Sequence, residues 1–331
     1  MAKMLPKLKG AECVKRYEHN PILSKNDIPY QADLIFNAGV IKYKGKYFML
    51  FRDDYIINEK RDLATCVGVA ESDDGIKWYV REKTIQLDID NADKEIKRFY
   101  DPRLIVIEDE IYVCFAVDTH HGIRGGIGKI IADFEKIEVL SLTTPDNRNL
   151  VLFPEKINGK YMRLERPFPV YGRGKDRFDI WISESPDLKH WGESKLLLGV
   201  EDVPFANDKI GPGASPVKTD YGWLTVFHAV DIDPSRGKNG WEDIWQKRYS
   251  AGIMLLDLEN PSKVLGMCKT PLMAPEAAYE TDEGFRTNAI FPGSVVIEGD
   301  SVKIYYGASD TVECMAQAKL NDLLKLCGVN I

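Results

Sequence analysis

The chain has 331 residues, of which 44% are hydrophobic and 29% charged, and its formal net charge at pH 7 is -7. This composition is typical of folded globular proteins and excludes a largely disordered chain. The acidic balance excludes the overall basic field that attracts nucleic acid or anionic membranes, so any anion site has to be local.

The N-terminal segment contains lysines, but no apolar run long enough for a signal sequence or a membrane span follows it. We therefore expect a cytoplasmic protein without a membrane or nucleic-acid partner. The six cysteines are widely spaced and form no CxxC pair. This spacing predicts reduced thiols, and it predicts neither a metal site nor a disulfide framework.

The first predicted element is a β-hairpin over residues 39–52, in which an apolar strand, a polar turn at Lys44-Gly45-Lys46 and an aromatic strand follow one another. The pattern returns four times along the chain, at residues 103–115, 152–164, 213–228 and 293–307. Short strands between the hairpins, such as residues 65–70 and 178–183, bring each repeat to four strands. Sustained helical periodicity is confined to residues 320–326, which disfavours a doubly wound α/β fold.

Five such repeats of about 60 residues predict an all-β fold, a five-bladed β-propeller with short N- and C-terminal extensions. We expect residues 1–331 to form a single catalytic domain. The turn at residues 72–78 resembles the Asp-box of sialidases and other propellers, a structural turn remote from catalysis. A two-sheet β-sandwich with coincidentally similar hairpins is the alternative fold.

The innermost strands of a propeller line a central channel, so polar residues at their ends converge on one cavity. Asn37 and Arg52 flank the first hairpin. Asp101 precedes the second hairpin, and Pro102 favours an extended backbone there. An aromatic neighbour would exclude water from the carboxylate of Asp101 and raise its pKa. A raised pKa suits a general acid, whereas an ordinary Asp-Pro turn is the structural alternative.

Basic residues surround the third hairpin, which is preceded by Arg148 and Asn149 and closed by Arg163 and Arg166. Guanidinium groups that converge on a channel can clamp a phosphate through paired hydrogen bonds. Surface ion pairs with nearby glutamates are the alternative.

The last two hairpins contribute further candidates. Lys209 stands before a Gly-Pro-Gly turn, and His228 ends the following strand, where a purely structural role is the alternative. Asp310 follows two tyrosines, and carboxylates together with aromatic rings suit sugar hydroxyls and ring faces. Ordinary strand packing would also explain the tyrosines.

Five motifs, at residues 100–103, 152–156, 163–167, 209–213 and 305–311, together resemble the signature of glycoside hydrolase family 130. The resemblance runs in order over nearly the whole chain. It implies a five-bladed propeller and inverting phosphorolysis of β-1,4-mannosides, which yields α-mannose 1-phosphate. Inorganic phosphate is then a co-substrate, and no cofactor or metal is implied.

The resemblance also implies a role for each candidate residue. Asp101 corresponds to the general acid of the family. The implied phosphate-binding group consists of Arg148, Asn149, Arg166, Lys209 and His228. The implied contacts to the mannosyl unit are Asn37, Arg52, Tyr100 and Asp310.

The retained Lys209 and His228 favour phosphorolysis over hydrolysis. An inverting hydrolase needs a second carboxylate to activate water, whereas phosphate is already an anionic nucleophile that needs only to be bound and aimed. A hydrolase that draws a base from Asp53, Asp54, Glu276 or Glu280 remains an alternative. A noncatalytic carbohydrate-binding propeller is a third hypothesis.

Three points stay open at this level. The acceptor sugar, which could be mannose, glucose or N-acetylglucosamine, is expected to contact residues 231–247 with Trp241 and Trp245. The acid could act directly or through a sugar hydroxyl. The terminal segments, residues 3–17 and 320–331, either close the propeller or reach a neighbouring subunit, and we expect a homo-oligomer.

Overall fold

The computed structural model describes residues 8–60, 62–89, 95–168, 178–236 and 246–331. Within these ranges the chain forms five β-sheets around a central channel, which confirms the predicted five-bladed propeller. The helices of these ranges are short: the 3-10 turns Lys25–Asp27 and Val200–Asp202, and the α-helices α1 (Ala278–Thr281) and α2 (Leu320–Leu326). None of them is long and apolar enough to cross a membrane.

Each sheet forms one blade, whose strands run in order from the channel outward. Blade 1 consists of β2 (Leu34–Tyr43), β3 (Lys46–Ile56), β4 (Leu63–Ser72) and β5 (Tyr79–Val80). Blade 2 consists of β7 (Ile96–Ile107), β8 (Glu110–Thr119), β9 (Gly122–Ile131) and β10 (Lys136–Leu142), with β6 (Gln86–Asp88) parallel to β10 at the outer edge. Blade 3 consists of β11 (Asn147–Leu152), β12 (Tyr161–Pro167), β13 (Ile180–Ser185) and β14 (Gly192–Leu198).

Blade 4 has a divided innermost strand, because β15 (Lys209–Pro212) and β16 (Val217–Thr219) both pair with β17 (Gly222–Ile232). Its outer strands are β18 (Lys247–Leu256) and β19 (Val264–Met267). Blade 5 consists of β20 (Ile290–Glu298), β21 (Ser301–Ala308) and β22 (Val312–Lys319). The five predicted hairpins are therefore the two innermost strands of the five blades.

The blades pack against one another through the buried faces of their strands. Leu50, Val67 and Val69 of blade 1 belong to one apolar cluster with Leu104 and Val113 of blade 2. Burying an aliphatic side chain of this size contributes roughly 1.5–3 kcal/mol. Because β-branched and aromatic residues fit such pleated, buried surfaces, the alternating sequence both forms the strands and joins the blades.

The N-terminal segment closes the ring of blades. Strand β1 (Lys15–Arg16) pairs antiparallel with β22 and becomes the outermost strand of blade 5. Arg16 donates from Nε to Glu280 Oε1 at 2.7 Å and from Nη2 to Glu280 Oε2 at 2.9 Å. Near the C-terminus, α2 buries Leu323 and Leu324 in the same apolar cluster as blades 3 to 5. Both terminal segments thus contribute to closing the propeller, which is one of the two roles expected for them.

Candidate active site

Four innermost strands have a β-bulge at the same end of the channel. Register shifts occur between Phe36 and Gly39, Tyr100 and Arg103, Arg148 and Val151, and Pro292 and Ser294. Three of these bulges contain Asn37, Asp101 and Asn149, with left-handed φ angles of 55°, 54° and 61°. Asn and Asp tolerate this conformation better than other side-chain-bearing residues, and a bulge re-aims its side chain. The bulges thereby turn three polar groups into the mouth of the channel.

A pocket at this mouth contains most of the predicted site residues. It is lined by Asn37, Arg52, Asp101, Arg148, Asn149, Arg166, Tyr249, Arg286, Ala289, Phe291 and Asp310. Seven of the ten residues implied by the resemblance therefore line one cavity. The other three, Tyr100, Lys209 and His228, are buried and are not part of this lining.

Arg103 lies below the pocket and ties three blades together across the channel. Its Nε donates to the carbonyl of Gly213 at 2.8 Å, and its Nη1 donates to the carbonyls of Asn37 and Pro102 at 2.9 and 2.7 Å. The side chain is buried, and its guanidinium lies 5.3 Å from the ring of Phe291. Arg103 therefore fixes the strand ends that carry Asn37 and Asp101.

Asp101 is held by two neighbours from blade 1. Its Oδ1 accepts from Asn37 Nδ2 at 3.0 Å and from Arg52 Nη1 at 3.3 Å. Burial alone would raise the pKa of Asp101, but Arg52, Arg103, the Asn37 hydrogen bond and Arg148 outweigh burial and lower the pKa. The expectation of a raised pKa was wrong for the protein without substrates, because the sequence shows the aromatic neighbour but not the surrounding arginines.

Arg52 is positioned by a carboxylate and two rings. It donates from Nε and Nη2 to the two oxygens of Asp54 at 2.9 and 2.5 Å. Its guanidinium lies 4.7 Å from the ring centres of both Phe36 and Tyr100. The Tyr100 hydroxyl donates to Asp118 Oδ1 at 2.7 Å. The ring of Tyr100 therefore supports Arg52, while its hydroxyl group binds Asp118 within blade 2.

Arg148 and Arg166 form the anion-attracting side of the pocket. Neither makes an ion pair within the described part of the chain, whereas Arg52 and Arg286 pair with Asp101 and Asp310. Nε and Nη2 of Arg166 and Nε of Arg148 are buried without a hydrogen-bond partner among the described residues. Burial, followed by the charge of Arg148, lowers the pKa of Arg166 to about 9. Unpaired guanidinium N–H groups of this kind match the oxygens of a phosphate.

His228 orients Arg166 from a fully buried position. Its Nε2 lies 3.0 Å from Arg166 Nη1, and its Nδ1 lies 3.2 Å from the carbonyl of Pro212. Burial, Arg166 and Lys209 hold the pKa of His228 well below its usual value, so the ring is neutral. Because Arg166 only donates and a carbonyl only accepts, the ring proton is on Nδ1 and Nε2 accepts from Arg166.

The close approach of His228 and Arg166 depends on Gly211. A Cβ atom at position 211 would lie 2.4 Å from His228 Cε1 and 2.9 Å from Arg166 Cδ. Any side chain at this position would displace one of the two groups. The Gly-Pro-Gly motif therefore provides space for the guanidinium of the pocket.

The remaining ion pair of the pocket joins Arg286 to Asp310, with Nη1 3.2 Å from Oδ2. Burial raises the pKa of Asp310 against the opposing charges of Arg286 and Arg52. Sequence reasoning missed Arg286, Tyr249 and Phe291. Phe291 could have been found, because it lies near the start of its innermost strand, one residue before Pro292, where the bulge of that strand begins. Arg286 and Tyr249 lie in no repeated pattern.

The carboxylates considered for a hydrolytic base lie outside the pocket lining. Asp53 is fully buried beside Cys66, and Asp54 is bound by Arg52. Glu276 and Glu280 bind Arg16 at the outer edge of blade 5. Residues 237–245, including Trp241 and Trp245, lie outside the described residues. Within the described ranges, no group of three or more His, Cys, Asp or Glu side chains could hold a metal ion.

Known proteins of similar sequence and structure agree with the fold. The sequence profile of glycoside hydrolase family 130, described as β-1,4-mannooligosaccharide phosphorylase, matches residues 6–328. The chain is 33% identical to a β-1,4-mannooligosaccharide phosphorylase of Ruminococcus albus, over 96% of this chain and 92% of that protein. It is 28% identical to a 4-O-β-D-mannosyl-D-glucose phosphorylase of Bacteroides fragilis, over 99% and 88% of the two chains.

Among solved structures, a β-1,2-mannobiose phosphorylase from Listeria innocua, in complex with β-1,2-mannobiose, superimposes with a TM-score of 0.81 and 26% identity. The superposition covers 96% of this chain and 99% of that chain. These similar proteins share mannosides as substrates and differ in linkage and acceptor.

Proposed function

The chain belongs to glycoside hydrolase family 130, the family of mannoside phosphorylases, and we propose that it cleaves β-1,4-mannosidic bonds with inorganic phosphate. The products are α-mannose 1-phosphate and an oligosaccharide shortened by one mannosyl unit. One observation carries the proposal: two arginines that have no counter-ion among the described residues face a pocket that also contains Asp101. This charge arrangement suits an anionic nucleophile beside a carboxyl group that acts as the acid.

The phosphate is held by Arg148, Asn149 and Arg166, with Lys209 and His228 behind them. Arg166 supplies Nε and Nη2, which have no partner among the described residues, and His228 fixes its third nitrogen. When phosphate binds to these guanidinium nitrogens, one of its remaining oxygens is aimed at the anomeric carbon of the mannosyl unit. Attack on the face opposite the leaving sugar inverts the configuration and gives the α-phosphate.

Asp101 donates the proton that the leaving oxygen needs, either directly or through a sugar hydroxyl. Before the substrates bind, its lowered pKa makes it a carboxylate, so it must gain a proton as they enter. A bound phosphate opposes the charge of Arg148, and a bound sugar replaces water around the carboxyl group. Both effects raise the pKa of Asp101 and prepare it as an acid.

The mannosyl unit lies against Asn37, Arg52 and Asp310. Arg52 and Asp310 are each held by an ion pair, so their orientation does not depend on the ligand. The pKa of Asp310 is raised, chiefly by burial, and Arg286 is 3.2 Å away. A carboxyl group that Arg286 holds in place suits hydrogen bonding to sugar hydroxyls.

The preference for the β-1,4 linkage is supported by the 33% identity to the R. albus enzyme. The test is phosphorolysis of β-1,4-mannobiose, β-1,2-mannobiose, mannosyl-glucose and mannosyl-N-acetylglucosamine, with release of mannose 1-phosphate as the readout. We expect the highest kcat/KM with a β-1,4-mannoside, and no cleavage without phosphate. Mannose release at equal rates with and without phosphate would refute the phosphorylase proposal.

The role of Asp101 is tested with Asp101→Asn, with the exposed Asp300→Asn as the matched control. We expect Asp101→Asn to lose about two to four orders of magnitude in kcat, the range typical of general acid catalysis. Asp300→Asn should retain normal turnover. Near-normal turnover of Asp101→Asn would exclude Asp101 as the acid.

A further inference from the structure

We propose that Lys209 is an uncharged amine before ligands bind and accepts a proton when a tetrahedral oxyanion binds beside Arg166. Lys209 thereby acts as the base that converts an incoming phosphate monoanion into the dianion. The inference rests on the proposed phosphate site and adds a proton-transfer role to it.

The side chain of Lys209 lies in an environment that disfavours a charge. The residue is 9% exposed. Its Nζ lies 5.2 Å from the ring centre of Tyr249 and 5.8 Å from that of Phe178. Aromatic rings compensate only part of the hydration that a buried ammonium loses. Burial without a carboxylate partner therefore lowers the pKa of a lysine and favours the uncharged amine.

The charges that face Lys209 are mostly positive. Arg148 and Arg166 approach from blade 3 and Lys247 approaches from β18, while the neighbouring His228 is neutral. The carboxylate that opposes them, Asp208, pairs with Lys247 at 3.4 Å. Within the described part of the chain, Lys209 itself forms no ion pair. Burial first, then Arg166 and Lys247, lower the pKa of Lys209 to about 6.

An oxyanion would reverse this balance. Arg166 and Lys209 both lie over the ring of Phe178, at 5.1 and 5.8 Å, and two nitrogens of Arg166 have no partner among the described residues. Two negative charges at those nitrogens outweigh the repulsion between Lys209 and its cationic neighbours. The ammonium form of Lys209 then becomes the stable one, so anion binding and proton uptake are linked.

The proton transfer is balanced within the site. When phosphate enters as the monoanion, one of its O–H bonds breaks and an N–H bond forms at Lys209 Nζ. The phosphate remains as the dianion, and the positive charge of the new ammonium group stabilises it. The dianion is the stronger nucleophile, so the site can use phosphate that enters as the monoanion as long as Lys209 is uncharged before binding.

Sulfate is the probe, because it is tetrahedral and carries no proton to release at neutral pH. Calorimetric titration of sulfate in buffers with different ionisation enthalpies measures the protons taken up by the protein. Asp101→Asn serves as the background, so that this carboxyl group does not contribute. With a pKa of about 6 before sulfate binds, binding at pH 7 should take up about 0.9 proton at Lys209. The uptake should fall to about 0.1 proton at pH 5.

The comparison is with Asp101→Asn/Lys209→Met and Asp101→Asn/Lys209→Arg. The second of these variants remains protonated at all relevant pH values, so it should bind sulfate without this uptake. The affinity for sulfate should weaken about tenfold per pH unit above pH 6 when Lys209 is present, and by less in the Lys209→Arg variant. Thermal unfolding verifies that each variant is folded.

The outcomes separate the inference from the function on which it rests. Equal proton uptake with and without Lys209 would overturn the inference and leave the phosphorylase proposal intact. If neither sulfate nor phosphate binds in a saturable way, and Arg166→Met makes no difference, both proposals fail. If the proton uptake at pH 7 is smaller by about 0.9 proton in both Lys209 variants than in Asp101→Asn alone, the inference is supported.

Discussion

Replacing Gly211 by alanine should weaken phosphate binding with little effect on the sugar site. The added Cβ would lie 2.4 Å from His228 Cε1, 2.8 Å from His228 Nε2 and 2.9 Å from Arg166 Cδ. Contacts this short cannot persist, so His228 and Arg166 must separate. Arg166 then loses the hydrogen bond that orients it toward the anion.

The magnitude follows from the interactions involved. Forcing a methyl group into a packed site costs about 1–3 kcal/mol of stability. A charge-assisted hydrogen bond to the anion is worth about 1.5–3 kcal/mol. Since each 1.4 kcal/mol changes a dissociation constant tenfold, KM for phosphate should rise about 10- to 150-fold. KM for the mannoside should change less than about threefold.

The assay is initial-rate phosphorolysis with phosphate and mannoside varied in turn, together with thermal unfolding. Gly192→Ala is the matched control, because a Cβ at position 192 would have no neighbour within 4 Å. The control should show normal kinetics and stability. A folded Gly211→Ala variant with an unchanged KM for phosphate would refute the role given to the His228–Arg166 pair.

The remaining predictions concern stability. Burial raises the pKa of Glu313 to about 8, although Oε2 accepts from the amide of Ala38. Between about pH 4.5 and pH 8, the folded state therefore keeps a proton that the unfolded state releases. As a result, Glu313 lowers the free energy of unfolding by about 1.4 kcal/mol for each pH unit by which the pH rises over this range. Glu313→Gln should remove that slope and be relatively more stable at pH 8 than at pH 5. Arg16→Met leaves Glu280 buried without its cation and should cost about 3 kcal/mol of unfolding free energy.

Both stability predictions are measured by chemical unfolding. A constant free-energy difference between Glu313→Gln and the wild type from pH 5 to pH 8 would contradict the first. For the second, Arg16→Met/Glu280→Gln should recover part of the loss, because no uncompensated buried charge remains. Equal stabilities of Arg16→Met and the wild type would show that the ion pair between Arg16 and Glu280 does not stabilise blade 5.

The two arginines of the third hairpin illustrate how far strand patterns reach. The motif at residues 163–167 predicted several guanidinium groups converging on the channel, and strand alternation divides them. Arg166 faces the pocket, whereas Arg163 turns to the other face of β12, pairs with Glu165 at 2.8 Å and lies 4.2 Å from the ring of Trp191. The sequence shows that two arginines are three residues apart, but the packing of the neighbouring blades assigns their roles.

The sequence by itself determined the number of blades and the order of their strands, because alternation and turn residues are local properties of the chain. It also located Asp101, Arg148 and Asn149, which stand at corresponding places before their hairpins. Tertiary structure alone decided the state of these groups. The lowered pKa values of Asp101 and Lys209 arise from burial and from charges on other blades. The distances from Asp101 and Lys209 to those charges are set only when the ring of blades has closed.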